Sequence, residues 1–204
     1  MEWSTLATLN KEKELIGIYL SAHPLDNFKL EIDSFCNTRL SEFREIEKLK
    51  GKEISCAGIV TAVRNAMTKT GKPYGSITVE DYTDSYTIMM FGKDYENFRK
   101  YFYEGYSLLI KGNVTENNWK NNELEFKVKN ISILNNAREE MVKNLLIKMP
   151  LSDLTEPFID EIKRRTKPGN VTLKFMISDA EDKLTLEMFS RSLRIDVSNE
   201  LIDF

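Results

Sequence analysis

Three cations, Arg64, Lys69 and Lys72, fall within residues 54–79, a stretch that holds no carboxylate. Tyr74 follows two residues after Lys72, and further along Trp119 stands beside Lys120. Ammonium and guanidinium groups neutralise phosphates, while aromatic rings stack on the π-face that every base offers. Basic groups interleaved with aromatics are therefore the residue set that grips single-stranded nucleic acid. The alternative is that Lys69 and Lys72 are ordinary solvated turn lysines and that Trp119 covers one end of a core.

Little else in the chain could do chemistry. The single histidine, His23, precedes Pro24, where a local hydrogen-bonding role is expected. Cys36 and Cys56 make neither a disulfide framework nor a zinc site, and read as small buried residues. Glu80, Asp81 and Asp84 gather at a strand-to-strand turn, where acids are commonly solvated, so no metal is expected there. Neither a phosphate-cradling glycine loop nor a nucleophile motif is present. The expectation is no catalytic residue, no metal and no cofactor. Tyr82, Tyr86, Tyr101, Tyr103 and Tyr106 are expected to pack in the core.

The chain has 204 residues, 41% apolar and 30% charged, a profile able to bury a core in two small domains. A net charge of −3 argues against a general polyanion binder, so the positive stretch is a local footprint. No apolar run approaches the ~18 residues of a membrane span. The start lacks the basic and apolar regions of a signal peptide, and a reducing cytoplasm is the compartment expected. No membrane contact is anticipated.

The elements that must position these groups follow from periodicity. Residues 1–50 predict a helical lead-in, with helices capped by Asn10, Asp26 and Ser41 and the last ending at Gly51. From residue 53 the apolar period changes to two. Strands are predicted at 53–66, 73–80, 85–91, 107–115 and 123–134, with Gly58 marking a bend in the long first strand. Residues 67–72 form a basic turn, 93–103 a helix, and 116–122 a polar loop. Three strands, a helix and two strands is the order of the five-stranded OB-fold β-barrel, spanning residues 51–134. Residues 135–204 predict a small α+β domain. It comprises a helix at 137–148, a second starting near Thr155, a hairpin through 179–183, and a final helix capped by Ser198. That last helix has six residues before the chain stops and would be marginal alone, which suggests a chain cut from something longer.

Residues 12–26, EKELIGIYLSAHPLD, resemble a segment of the bacterial replicative DNA polymerase III alpha family that leads into its OB domain. Residues 54–81, ISCAGIVTAVRNAMTKTGKPYGSITVED, look like that family's first two barrel strands and their basic turn. The run 89–98, MMFGKDYENF, fits its third strand and helix. The resemblance implies a non-catalytic C-terminal portion of a DNA-directed DNA polymerase, its barrel contacting single-stranded template DNA ahead of the active site. It implies a tail that docks the tau subunit of the clamp loader, the remainder of the polymerase chain being a further partner. The tail surface it points to is the hairpin 171–189 and the helix from Ser198. Arg64, Lys69 and Lys72 match the family's basic turn, Tyr74 its second strand, and Trp119 with Lys120 its loop between strands four and five. The family's Gln-led clamp-binding peptide has no counterpart, since the chain contains no glutamine. Two other readings use the same barrel: an RNA-binding module of the tRNA anticodon-binding type, and a pure protein-interaction scaffold.

Overall fold

The computed structural model describes residues 12, 15, 22–117, 123–202 and 204, and divides into two compact units, Met1–Asn135 and Asn136–Phe204. The first is built on a five-stranded antiparallel sheet of order β3-β2-β1-β4-β5. Its strands are β1 (Glu53–Met67), β2 (Pro73–Glu80), β3 (Ser85–Phe91), β4 (Ser107–Asn117) and β5 (Glu123–Ile133). β1 pairs with β4 through residues 53–59 and with β2 through residues 59–67, so one strand serves both halves of the barrel. The handover is a register shift between Val60 and Ala62, just beyond Gly58. There the Val60 amide leaves the ladder and donates to the Tyr106 carbonyl at 2.8 Å.

Alternation puts Ile54, Cys56, Ile77, Val79, Ile88, Met90, Leu108 and Ile110 in one core. Between β3 and β4 lies α2 (Gly92–Phe98), finished by a 3-10 turn, Arg99–Tyr101, rather than continuing as the single helix predicted. Tyr95 and Phe102, in edge-to-face contact at 5.5 Å, sit under β2. Gly75 makes room for them: a Cβ there would meet their rings at 2.6 and 2.7 Å.

The lead-in is part of this barrel's packing. After a 3-10 turn, Asp26–Phe28, comes α1 (Lys29–Phe35) and then a 3-10 helix, Leu40–Leu49. Leu40, Phe43 and Leu49 of that helix are buried in the barrel core, each contributing roughly 1.5–3 kcal/mol. Phe43 stacks on Tyr86 at 4.4 Å and meets Phe126 edge-on at 5.1 Å. Ser41 does not cap this helix. Arg39 holds the cap position and its amide donates to Glu42 at 2.7 Å, while the β2–β3 turn supplies the remaining acceptors. The Leu40 amide donates to Asp81 at 2.8 Å and the Ser41 amide to Thr83 at 3.1 Å. Nor does Asp26 cap forward. Its carboxylate accepts the His23 amide at 2.8 Å and the Tyr82 hydroxyl at 3.0 Å. The Asn10-capped helix lies largely outside the described residues.

The second unit carries a three-stranded sheet of order β6-β7-β8, with β6 (Asn144–Pro150), β7 (Lys167–Asp179) and β8 (Leu184–Asp196). The predicted helix at 137–148 is corrected here. A helix, α3, covers Leu134–Met141, and the following residues form β6, paired parallel to β7. The run Leu145-Leu146-Ile147 satisfies either period, and parallel pairing through the crossover helix α4 (Glu156–Arg165) decides for a strand. Thr155 caps α4, accepting the Phe158 amide at 3.4 Å. Asp179 organises the β7–β8 turn by accepting the Glu181 and Asp182 amides. Ser198 caps α5 (Asn199–Ile202) through the Leu201 amide at 3.3 Å. Met149, Ile162, Leu173, Ile177, Ile195 and Leu201 are buried.

Candidate nucleic-acid interface

Because antiparallel partners share a face, the register of β1, β2 and β3 fixes what lies together on the barrel's outside. One row across the three strands is Arg64, Ser76 and Met89; the next is Ala66, Tyr74 and Phe91; a third is Ala62, Thr78 and Thr87. The opposite face carries Val63, Ile77 and Ile88, which belong to the core. Arg64 and Tyr74 are thus brought onto one outward face, Arg64 exposed and Tyr74 half-buried.

Lys69 and Lys72 lie in the hairpin turn joining β1 to β2, at the Tyr74 end of that face. The turn is closed by the Gly71 amide on the Thr68 carbonyl at 2.9 Å and the Thr68 amide on the Lys72 carbonyl at 2.8 Å. Gly71 takes φ +75°, a left-handed conformation that suits glycine. Both lysines are exposed, and among the described residues neither they nor Arg64 make an ion pair. Trp119 and Lys120 lie outside the described residues.

Two large apolar side chains that sequence reasoning did not single out complete the face. Met89 is 41% and Phe91 44% exposed, and the Phe91 ring stacks on Tyr74 at 5.4 Å and 16°. Beside them the Thr78 and Thr87 hydroxyls hydrogen-bond at 2.9 Å. In the run 85–91 the outward phase is marked by Ser85 and Thr87, but both phases are apolar over 88–91, so Met89 and Phe91 do not stand out from the core-facing Ile88 and Met90 in the sequence.

The acids at the β2–β3 turn are spent on structure. Asp81 accepts from the Thr83 amide and hydroxyl, the Asp84 amide and the Leu40 amide. The Arg44 guanidinium and the Ser85 amide hold the Asp84 carboxyl below its usual range. Burial pushes the Asp26 carboxyl up, but the His23 amide and Tyr82 hydroxyl outweigh it, and the net shift is downward. His23 acts locally, its Nδ1 accepting the Leu25 amide at 3.2 Å. Burial pushes the half-buried Cys36 thiol up to about 12 and raises the buried Cys56 as well, so both remain thiols at neutral pH. Of the tyrosines, Tyr86 and Tyr101 pack on the core, whereas Tyr82, Tyr103 and Tyr106 are exposed.

Residues 54–134 match the family model of the OB-fold nucleic acid binding domain. Residues 145–204 match the model for the C-terminal domain of DNA polymerase III alpha. The chain is similar to DNA polymerase III alpha subunits. It is 25% identical to the alpha subunit of Vibrio cholerae over 207 residues, covering 99% of this chain and 17% of that one. To the Escherichia coli K12 protein it is 23% identical, covering 98% and 17%. To that of Saccharopolyspora erythraea it is 31% identical, covering 56% and 10%. The chain therefore spans about a sixth of the alpha-subunit length or less. A mitochondrial single-stranded DNA binding protein of S. cerevisiae superposes with TM-score 0.31 and 16% identity, covering 41% of this chain and 95% of that one. The OB assignment rests on the strand order and the family model. Among the described residues no helix is long and apolar enough to cross a membrane.

Proposed function

We propose that the barrel unit binds single-stranded DNA weakly and without strong sequence preference, as a non-catalytic C-terminal part of a bacterial replicative DNA polymerase working in the cytoplasm. The observation that carries this reading is the outward face of β1–β2. Arg64, Tyr74 and the Lys69–Lys72 turn converge there, and the cations are not spent on ion pairs among the described residues. The second unit, in the same reading, docks the clamp-loader tau subunit through the β7–β8 hairpin, supported by the alpha-subunit relatives and by Leu184, Leu186 and Phe189, each more than half exposed. The remainder of the polymerase chain supplies catalysis.

Magnitudes make the binding weak. With roughly three phosphates neutralised, log K falls by about two per decade of salt. Stacking on one or two rings adds ~1–3 kcal/mol each. Millimolar to micromolar affinity follows, useful once the parent enzyme already holds its primer-template. The test is the double substitution Lys69→Glu, Lys72→Glu. Oligo-dT binding at ~50 mM salt is expected to fall at least tenfold, and unchanged binding would remove the basic turn from the site. Tighter binding of folded tRNA than of oligo-dT would select the RNA-binding reading instead. Absence of any binding at low salt, with tau binding retained, would select the protein-interaction scaffold.

A further inference from the structure

The sheet of the second unit has a face that its own core does not use. Met149, Val171, Leu173 and Ile177 lie on the buried phase, and alternation sends the other phase of β6, β7 and β8 to the opposite side. The registers set that side out in rows. Leu146, Lys174 and Phe189 form the middle row, with Lys148, Met176 and Glu187 on one side of it and Asn144, Thr172 and Arg194 on the other. Strict alternation would put Phe189 and Arg194, five residues apart, on opposite faces. The register shift between Thr172 and Lys174 brings both to the same one. Phe189 is 60% and Leu146 37% exposed.

The charge on this face is lopsided. Its Glu187 carboxylate is already held by Lys174 at 3.1 Å, and at the far end Asp196 stands opposite Lys167. Lys148 and Arg194 are exposed, and neither makes an ion pair among the described residues. They occupy opposite corners of the rows, two strands and four residues apart, roughly 16 Å. The Phe189 ring stands in the row between them. Two unspent cations flanking an exposed ring on an open sheet complement a chain of phosphates that carries flat bases. The other phase of β8, Leu184 and Leu186, has no ring and lies beside the acids of the β7–β8 turn.

We propose that this open sheet face is a second single-strand site, separate from the barrel. The sugar–phosphate chain crosses it between Lys148 and Arg194, and a base stacks on Phe189. Two free cations and one ring, against three cations and the Tyr74–Phe91 pair on the barrel, make it the weaker site by about tenfold or more. It is therefore the site that holds whatever strand the chain still binds once the barrel turn is reversed in charge. Phe189 serves the strand, while Leu184 and Leu186, on the other phase of β8, remain for a protein partner.

The experiment uses the whole chain carrying Lys69→Glu and Lys72→Glu, so that the barrel turn no longer attracts a strand. It reads oligo-dT binding by fluorescence anisotropy at ~50 mM salt, together with photo-crosslinking of an oligo-dT that contains iododeoxyuridine. A crosslink is expected at Phe189. In that background Phe189→Ala should weaken binding about threefold or more and remove the crosslink, whereas Phe189→Trp, which keeps a ring, should retain both. Lys148→Glu with Arg194→Glu should weaken binding about tenfold and lower the salt slope by about 1.4, the value for two phosphate contacts. Leu186→Asp, on the other phase of β8, should change it less than twofold. Binding that survives both Phe189→Ala and the reversal of Lys148 and Arg194, or absence of a crosslink at Phe189, would overturn the proposal and leave the barrel reading standing. Strand binding left intact by that reversal while tau capture is lost would assign the face to a protein and overturn it equally. Failure of the barrel reading looks different: reversing Lys69 and Lys72 then leaves binding unchanged, and Phe189→Ala in the same chain still lowers it.

Discussion

Each unit exposes an apolar strip on an outer strand of its sheet, and the two strips differ in everything except hydrophobicity. On β3 the strip is Met89 and Phe91, 41% and 44% exposed, extended by the Tyr74 ring and faced by Arg64 and the lysine turn. On β8 it is Leu184, Leu186 and Met188, at 65%, 58% and 38%, with the Phe189 ring, 60% exposed, on the other phase of the strand. At its turn end stand Asp179, Glu181 and Asp182 with Lys183, while Glu187, ion-paired to Lys174 at 3.1 Å, alternates to the opposite face. A ring surface beside unpaired cations suits a ligand built of bases and phosphates. An aliphatic surface beside carboxylates repels that ligand and suits a protein partner. In the proposed reading, the charge beside each strip decides what it takes.

The largest effect tests the charge half of this contrast. Reversing Lys69 and Lys72 to Glu is expected to lower oligonucleotide binding at least tenfold, whereas Leu186→Asp on β8 should leave it within twofold in the same anisotropy titration. Equal losses would show that the two strips are not distinguished by their surroundings. Next comes the support beneath the β3 side. Gly75→Ala drives a Cβ into Tyr95 and Phe102 and is expected to cost about 1–3 kcal/mol, seen as a lower denaturation midpoint of the barrel unit with the second unit unaffected.

Acid should separate the units too. Asp26 and Asp84 have carboxyls held below their ordinary range, and both tie the lead-in to the β2–β3 turn. A depressed folded pKa contributes stability fully above the unfolded value near ~3.9 and loses it as pH falls through the folded value. The lead-in is therefore expected to loosen from the barrel below about pH 4, read as faster amide exchange at Leu40 and Ser41. Arg44→Ala should bring that loosening to higher pH. The smallest effect is on stability at β8: Leu186→Asp should change the unfolding free energy by less than about 0.5 kcal/mol while weakening capture of tau.

The barrel was legible because its information is local. Period-two alternation from Glu53, a glycine near the strand that changes partners, and a Gly-closed turn name the strands and the basic turn; that Arg64 lies on β1 and shares a face with Tyr74 comes from the β1–β2 register. Met89 and Phe91 were less legible: only Ser85 and Thr87 mark their phase as outward, both phases are apolar over 88–91, and pairing with β2 is what sets the two side chains beside Ser76 and Tyr74. β6 was hidden by an apolar run that fits helix or strand until β7 supplies a parallel neighbour. The capping of the 3-10 helix by Asp81 and Thr83 spans some forty residues and leaves no local signature, so the same acids looked merely solvated.

The most direct test of the account is the salt dependence of oligo-dT binding by the unmodified chain. Between ~50 and ~200 mM salt, three phosphate contacts predict a loss of about twentyfold from a micromolar-to-millimolar starting point. Binding that is absent at the lower salt, or that does not respond to salt, would contradict it and leave the barrel without the ligand its β1–β3 face is argued to hold.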